Sequence, residues 1–143
     1  PNAFQFNKPR LENYDYSFNG VKTSVLYFIQ KEVKKNPNFI KENMNDLCAS
    51  VQKCIVEILI NTLQKASKDL NIKDVAIAGG VSANSALRKV MQNNHEKLGW
   101  NIYIPKFEYT TDNAAMIAMV AQLKFERGEF TDLRTTAISK YDL

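Results

Sequence analysis

Four consecutive apolar residues, Val75-Ala76-Ile77-Ala78, run straight into Gly79-Gly80 and then into a segment of helical period. A strand without polar alternation predicts burial on both faces, the condition of a parallel strand inside a layered α/β unit. A second short strand is expected at Asn101-Ile102-Tyr103-Ile104, ended by Pro105. The intervening segment starts around Ser82–Asn84, turns Leu87, Val90 and Met91 inward and closes at Gly99, as a crossover helix would. Strand, helix and strand in that order predict two parallel neighbours joined by a right-handed connection. Two such strands are too few for a stable sheet, so the unit is expected to need more structure than this chain supplies.

The flanking segments predict a helix-rich chain. Residues 1–20 read as irregular, broken by Pro1 and Pro9, with a short extended piece over Tyr14–Phe18 ending at Gly20. Residues 21–70 read as helical. One helix begins near Val21 and stops at Asn36-Pro37, and a longer amphipathic one covers about Asn45 to Leu70. In the longer helix Leu47, Cys48, Val51, Ile55, Ile58, Leu59, Leu63, Ala66 and Leu70 keep the helical period and are expected to face the core. Residues 71–128 form the strand-helix-strand-helix unit. Its last helix opens at Thr111-Asp112, runs to about Arg127 and is capped by Gly128. Every residue from Ala114 to Ala121 is apolar, so this helix is expected to be packed on more than one side. Residues 129–143 read as a tail, without a clear period from Asp132 onward.

Composition excludes little. At 143 residues, 45% hydrophobic and 24% charged, the chain suits one soluble domain, and no apolar run approaches the ~18 residues of a membrane span. The start, Pro-Asn-Ala-Phe, carries neither an initiator Met nor a signal pattern, and is expected to be a cut from a longer protein. Cys48 and Cys54 lie about 120° apart on one helix and predict reduced thiols of a cytosolic protein rather than a disulfide or metal pair. Nineteen Lys and Arg against fifteen Asp and Glu give a net charge of +4, scattered without a dense patch. That balance is compatible with RNA and does not decide for it.

Chemistry concentrates at two junctions. Ala78-Gly79-Gly80-Val81-Ser82-Ala83-Asn84 joins a strand to a helix N-terminus, where glycines admit a ligand close to the backbone and free N–H groups attract anions. Asn84 can present an amide to a ribose, phosphate or carboxylate oxygen there. A tight turn capped by Ser82 or Asn84 explains the same residues without a ligand. Thr110-Thr111-Asp112-Asn113 opens the next helix, with Asp112 either an N-cap or a metal ligand at the carboxyl edge of the strands. One carboxylate cannot hold a catalytic metal, and the single histidine, His95, reads as a surface residue at the far end of its helix. Val21-Lys22-Thr23 after Gly20 can contact an anion, but Lys22 reads first as a solvated lysine on an early helix turn. No nucleophile elbow, Cys–His pair or Walker loop is present.

Taken together, three stretches resemble one family. Ser17-Phe18-Asn19-Gly20-Val21-Lys22-Thr23 is similar to its SFSGLKT stretch, Ala78 to Asn84 matches its AGGVSAN turn, and Thr111 to Ala118 matches its TDNAAMIA helix start. The family is the TsaD tRNA threonylcarbamoyladenosine transferases, once labelled O-sialoglycoprotein endopeptidases or glycoproteases. The resemblance implies an actin/Hsp70/sugar-kinase-like (ASKHA, RNase H-like) α/β fold of two lobes, of which this chain is the C-terminal part. It further implies transfer of threonylcarbamoyl from its adenylate to the adenosine next to the tRNA anticodon. Asn84, with Gly79 and Gly80, would bind the nucleotide, and Asp112 would ligate one iron or zinc ion completed by upstream histidines. The chain by itself is then expected to be inactive. Partners implied are tRNA and TsaB- and TsaE-like proteins, in the cytoplasm and away from membranes. Three other readings stay open: a sugar- or acetate-kinase-like phosphotransferase, a non-catalytic scaffold relative, and the metallopeptidase of the older label.

Overall fold

The computed structural model describes residues 2–9 and 12–136. Within them the chain is helix-rich, with a two-stranded parallel sheet: α1 (Asn19–Lys35), α2 (Phe39–Asp69), β1 (Asp74–Ala76), α3 (Ser85–Leu98), β2 (Asn101–Tyr103) and α4 (Ala114–Glu126). Short 3₁₀ turns at Gly80–Ala83 and Phe107–Tyr109 precede α3 and α4.

α2 is the spine. At roughly 100° per residue, Leu47, Cys54 and Ile58 fall on one face and Val56, Ile60 and Leu63 on the opposite face. The first face packs with Phe6 of the N-terminal segment and Val21 of α1. The second packs with Val75, Leu87, Met91 and Trp100 of the strand–helix–strand unit. Each buried side chain of this size stabilises by ~1.5–3 kcal/mol, so α2 ties two small cores together. Phe4, Phe28 and Phe39 close the first core, with ring centroids 5.1–5.9 Å apart. That helix is longer than its period predicts. It begins at Phe39 and passes through a non-helical residue, Asn43 (φ −117°, ψ 15°), whose side-chain amide donates to the Phe39 carbonyl. The stripe expected to face one core is divided: Leu47 and Ile58 enter the first core and Leu63 packs against the second, while Cys48 and Leu70 are exposed and Val51, Ile55 and Leu59 line open grooves.

The strands pair in parallel with Asp74 opposite Asn101, Val75 opposite Ile102 and Ala76 opposite Tyr103. α3 crosses between them, and Leu87 and Met91 are buried as its period predicts. The strand is not covered on both faces, however. Only Val75 is buried, while Asp74 and Ala76 are exposed, because α2 and α3 cover one side of the sheet and the described residues offer nothing for the other. Residues Tyr14–Phe18, expected to be extended, join no sheet, and Gly20 lies inside the first turn of α1.

α4 departs furthest from expectation. None of its residues is buried, and Ile117 is 73% exposed. Its all-apolar circumference demands cover on several sides, and no described segment provides it. Gly128 follows α4 in the left-handed conformation (φ 69°), the cap its position predicts. Of the tail, residues 137–143 lie outside the described residues. Among those described, no helix is long and apolar enough to cross a membrane.

Candidate functional site

Because β1 and β2 are parallel, the turn after β1 and the connection after β2 leave the sheet at the same end. Those two segments carry Gly79, Gly80, Asn84 and Asp112, the site residues expected from sequence.

The first segment is a tightly self-bonded turn. Gly79 has φ 72° and ψ −178°, a combination that only glycine adopts without strain. The buried Ser82 returns both its N–H (3.0 Å) and its hydroxyl (2.7 Å) to the Gly79 carbonyl. A Cβ placed on Gly79 or Gly80 meets no atom within 4 Å, so the surface above both glycines is open. Gly79 is therefore required by backbone geometry, whereas Gly80 leaves room that the fold itself does not use.

Asn84 caps α3, its Oδ1 accepting from Leu87 N–H at 3.0 Å. The same oxygen accepts from Gln52 Nε2 of α2 at 3.2 Å. Its amide plane is thereby fixed with Nδ2 unpartnered among the described residues. Capping and ligand contact, alternatives at the level of sequence, are compatible here: the oxygen serves the helix and the nitrogen remains a donor.

Beside this turn lies an apolar groove of about 630 Å³, walled by Tyr16, Phe18, Leu59, Ile77 and Val81, with Lys22 also lining it. Lys22 is exposed, as a solvated lysine would be, and α1 also brings it to the same groove as Val81 and Ser82. Its position after a glycine-containing aromatic stretch was the available signal. Neighbouring space, lined by Val51, Gln52, Val81 and Asn84, continues along α2.

Asp112 is placed differently from its expectation as a cap. The N-cap of α4 is Asn113, whose Oδ1 accepts from Met116 N–H at 3.2 Å. Asparagine one residue later reaches the first-turn amide, which leaves the Asp112 carboxylate exposed and without a hydrogen bond or ion pair among the described residues. The buried Thr110 anchors the preceding turn through its hydroxyl to Phe107 O at 2.8 Å. His95 is exposed at the end of α3, with Nδ1 on the Trp100 carbonyl. Among the described residues no three His, Cys, Asp or Glu side chains are grouped to hold a metal ion. A single exposed carboxylate does not by itself make a metal site. Both cysteines are free, Cys48 exposed and Cys54 buried. Burial pushes the Cys54 thiol up, Lys8 lowering it and Glu57 raising it further to smaller extents.

The sequence model of TsaD, tRNA N6-adenosine threonylcarbamoyltransferase, matches residues 1–119. The chain belongs to the TsaD family. A tRNA N6-adenosine threonylcarbamoyltransferase of Riemerella anatipestifer is 75% identical over all of this chain, which covers 42% of that protein. Proteins of the same name are 50% identical in Christiangramia forsetii, over 99% of this chain and 42% of theirs, and 43% identical in Thermosipho africanus, over 96% and 41%. The chain thus spans about two fifths of the length of the TsaD relatives it matches. All three stretches quoted from the sequence end within the matched residues.

Proposed function

We propose that this chain supplies the C-terminal part of a tRNA threonylcarbamoyladenosine transferase and that its strand-end turn binds the nucleotide half of a threonylcarbamoyl-adenylate. The observation that carries the reading is the Gly79–Asn84 turn: an open glycine surface, a fixed amide donor and an apolar groove meet at one end of a parallel sheet. The groove walls suit a purine face, Asn84 Nδ2 suits a ribose or phosphate oxygen, and Lys22 suits the phosphate charge. In the reaction, the adenosine amine nitrogen bonds to the carbamoyl carbon and gives up a proton to solvent, while the bond from that carbon to the phosphate oxygen breaks and AMP leaves with the electron pair. The contribution of these residues is to hold the AMP portion still while that exchange occurs.

The two-lobed ASKHA architecture, cytoplasmic location, and TsaB- and TsaE-like partners belong to the same proposal, as does tRNA as acceptor. Asp112 would donate one carboxylate to an iron or zinc ion whose other ligands come from outside this chain. The segment alone is then inactive.

The test uses the full-length protein with ATP, bicarbonate, partner proteins and labelled threonine, scoring label in tRNA. Wild type is compared with Asn84→Ala, Asp112→Ala and Gly80→Ala, each checked for cooperative unfolding. Asn84→Ala and Asp112→Ala are expected to lower transfer by about a hundredfold or more. Gly80→Ala is expected to keep stability within ~1 kcal/mol, because its Cβ meets open space, yet to lower adenylate affinity. Normal transfer by Asp112→Ala removes that residue from the site. An unlabelled tRNA with competent partners removes the transferase reading and leaves a scaffold or phosphotransferase.

A further inference from the structure

Arg88 joins the two site segments, and no other described side chain does. Its Nε donates to the Ser82 carbonyl at 2.6 Å and its Nη2 to the Pro105 carbonyl at 2.8 Å. Ser82 lies in the turn that leads to Asn84. Pro105 begins the connection from β2 that carries Asp112. Beyond the last sheet bond, Ile77 N–H to Tyr103 O at 3.1 Å, every backbone hydrogen bond in either segment stays within its own segment or its helix. Among the described residues, the Arg88 guanidinium is thus the one hydrogen-bonded link between residues 78–84 and 104–113.

Arg88 is half-buried and forms no ion pair among the described residues; the partners of its guanidinium there are main-chain carbonyls. A planar fork with donors in fixed directions can hold two carbonyls at a set separation, which a single ammonium cannot. Its own helix is locked by the Asn84 cap and by Arg88 N–H to Asn84 O at 3.0 Å, so the fork starts from a rigid base. We propose that Arg88 is a positioning residue that sets the spacing between the nucleotide turn and the Asp112 connection. This inference rests on the transferase reading for its functional consequence and on the hydrogen bonds alone for its structural part.

Full-length protein is used, with Arg88→Lys keeping the charge and Arg88→Met keeping the aliphatic stem. If Arg88→Met fails to fold, Arg88→Lys carries the test. Hydrogen exchange of the amides in residues 106–113 is expected to quicken by about tenfold in each variant, since a charged hydrogen bond is lost, while α2 amides are unchanged. Transfer kcat is expected to fall by about ten- to a hundredfold, the cost of small misplacement, while the affinity for AMP alone shifts by less than about threefold. Unchanged exchange at 106–113 overturns the proposal, and so does faster exchange with normal kcat. A loss of AMP affinity in step with kcat also overturns it, because Arg88 would then only support its own turn. A wild type that binds no AMP and labels no tRNA condemns the transferase reading instead, and the exchange arm still decides whether Arg88 makes the link.

Discussion

Helices α3 and α4 each follow a parallel strand and a short 3₁₀ turn, and each is capped by an asparagine whose Oδ1 accepts from the amide three residues on. From that shared start they diverge. α3 alternates apolar and polar faces, buries Leu87 and Met91 against α2, and ends at Gly99 in the left-handed conformation (φ 64°). α4 is apolar all round and buries nothing. The contrast separates what a local motif determines from what it leaves open. A cap and a glycine stop fix where a helix begins and ends, whereas burial depends on whether a complementary surface exists. For α4 that surface is not among the described residues, and the chain covers only 42% of the Riemerella anatipestifer relative.

The comparison breaks or sharpens on measurement. In chemical denaturation of this chain, Met91→Ala, which empties a fully buried site, is expected to cost ~2–5 kcal/mol, while Ile117→Ala stays within ~0.5 kcal/mol. Equal costs would mean that α4 is covered in solution. In the full-length protein Ile117→Ala is expected to become costly, and a neutral result there would leave the apolar face of α4 without a structural purpose.

Next in size are the caps. Asn84→Ala is expected to destabilise by ~1–2 kcal/mol, since it also strips Gln52 of its acceptor, whereas Asn113→Ala lowers only local helix content and global stability by less than ~0.5 kcal/mol. Hydrogen exchange resolved by helix distinguishes the two. Exposed apolar surface of this extent promotes association, so the isolated chain is expected to self-associate, and Ile117→Glu with Val120→Glu to reduce it in sedimentation. An unchanged association state would assign the contact to the grooves along α2.

The smallest effect concerns the cysteines. Exposed Cys48 is expected to alkylate readily and buried Cys54 only on opening. Burial raises the Cys54 value in the folded state. Its contribution to stability is therefore complete below the ordinary thiol range and lost as pH rises through the raised value. Cys54→Ser is expected to flatten that alkaline decline in a stability–pH series, and Cys48→Ser to leave it unchanged.

The strand–helix–strand unit was legible because glycine, proline and apolar period all marked it, and each device acts within a few residues. Asn84 was readable as a cap for the same reason. The orientation of α2 was not legible. Its apolar residues occupy more than one face, and a single period cannot tell two opposite cores from one. The cap reading of Asp112 is not realised because Asp and Asn are nearly equal as N-caps, and only the backbone decides which neighbour reaches the amide. Arg88 was invisible, since its partners are carbonyls and carry no side-chain signature. Trp100 was overlooked beside Gly99, although its indole N–H reaches Ser67 Oγ at 2.8 Å and that hydroxyl in turn reaches Ile72 O at 2.6 Å.

That tryptophan is the only one in the chain, and it is 2% exposed. Its emission is consequently a private optical channel for the seam between the end of α2 and the start of β2. Light from this single indole follows the opening of that seam, and the absence of indole from α4 keeps that helix dark in the same signal.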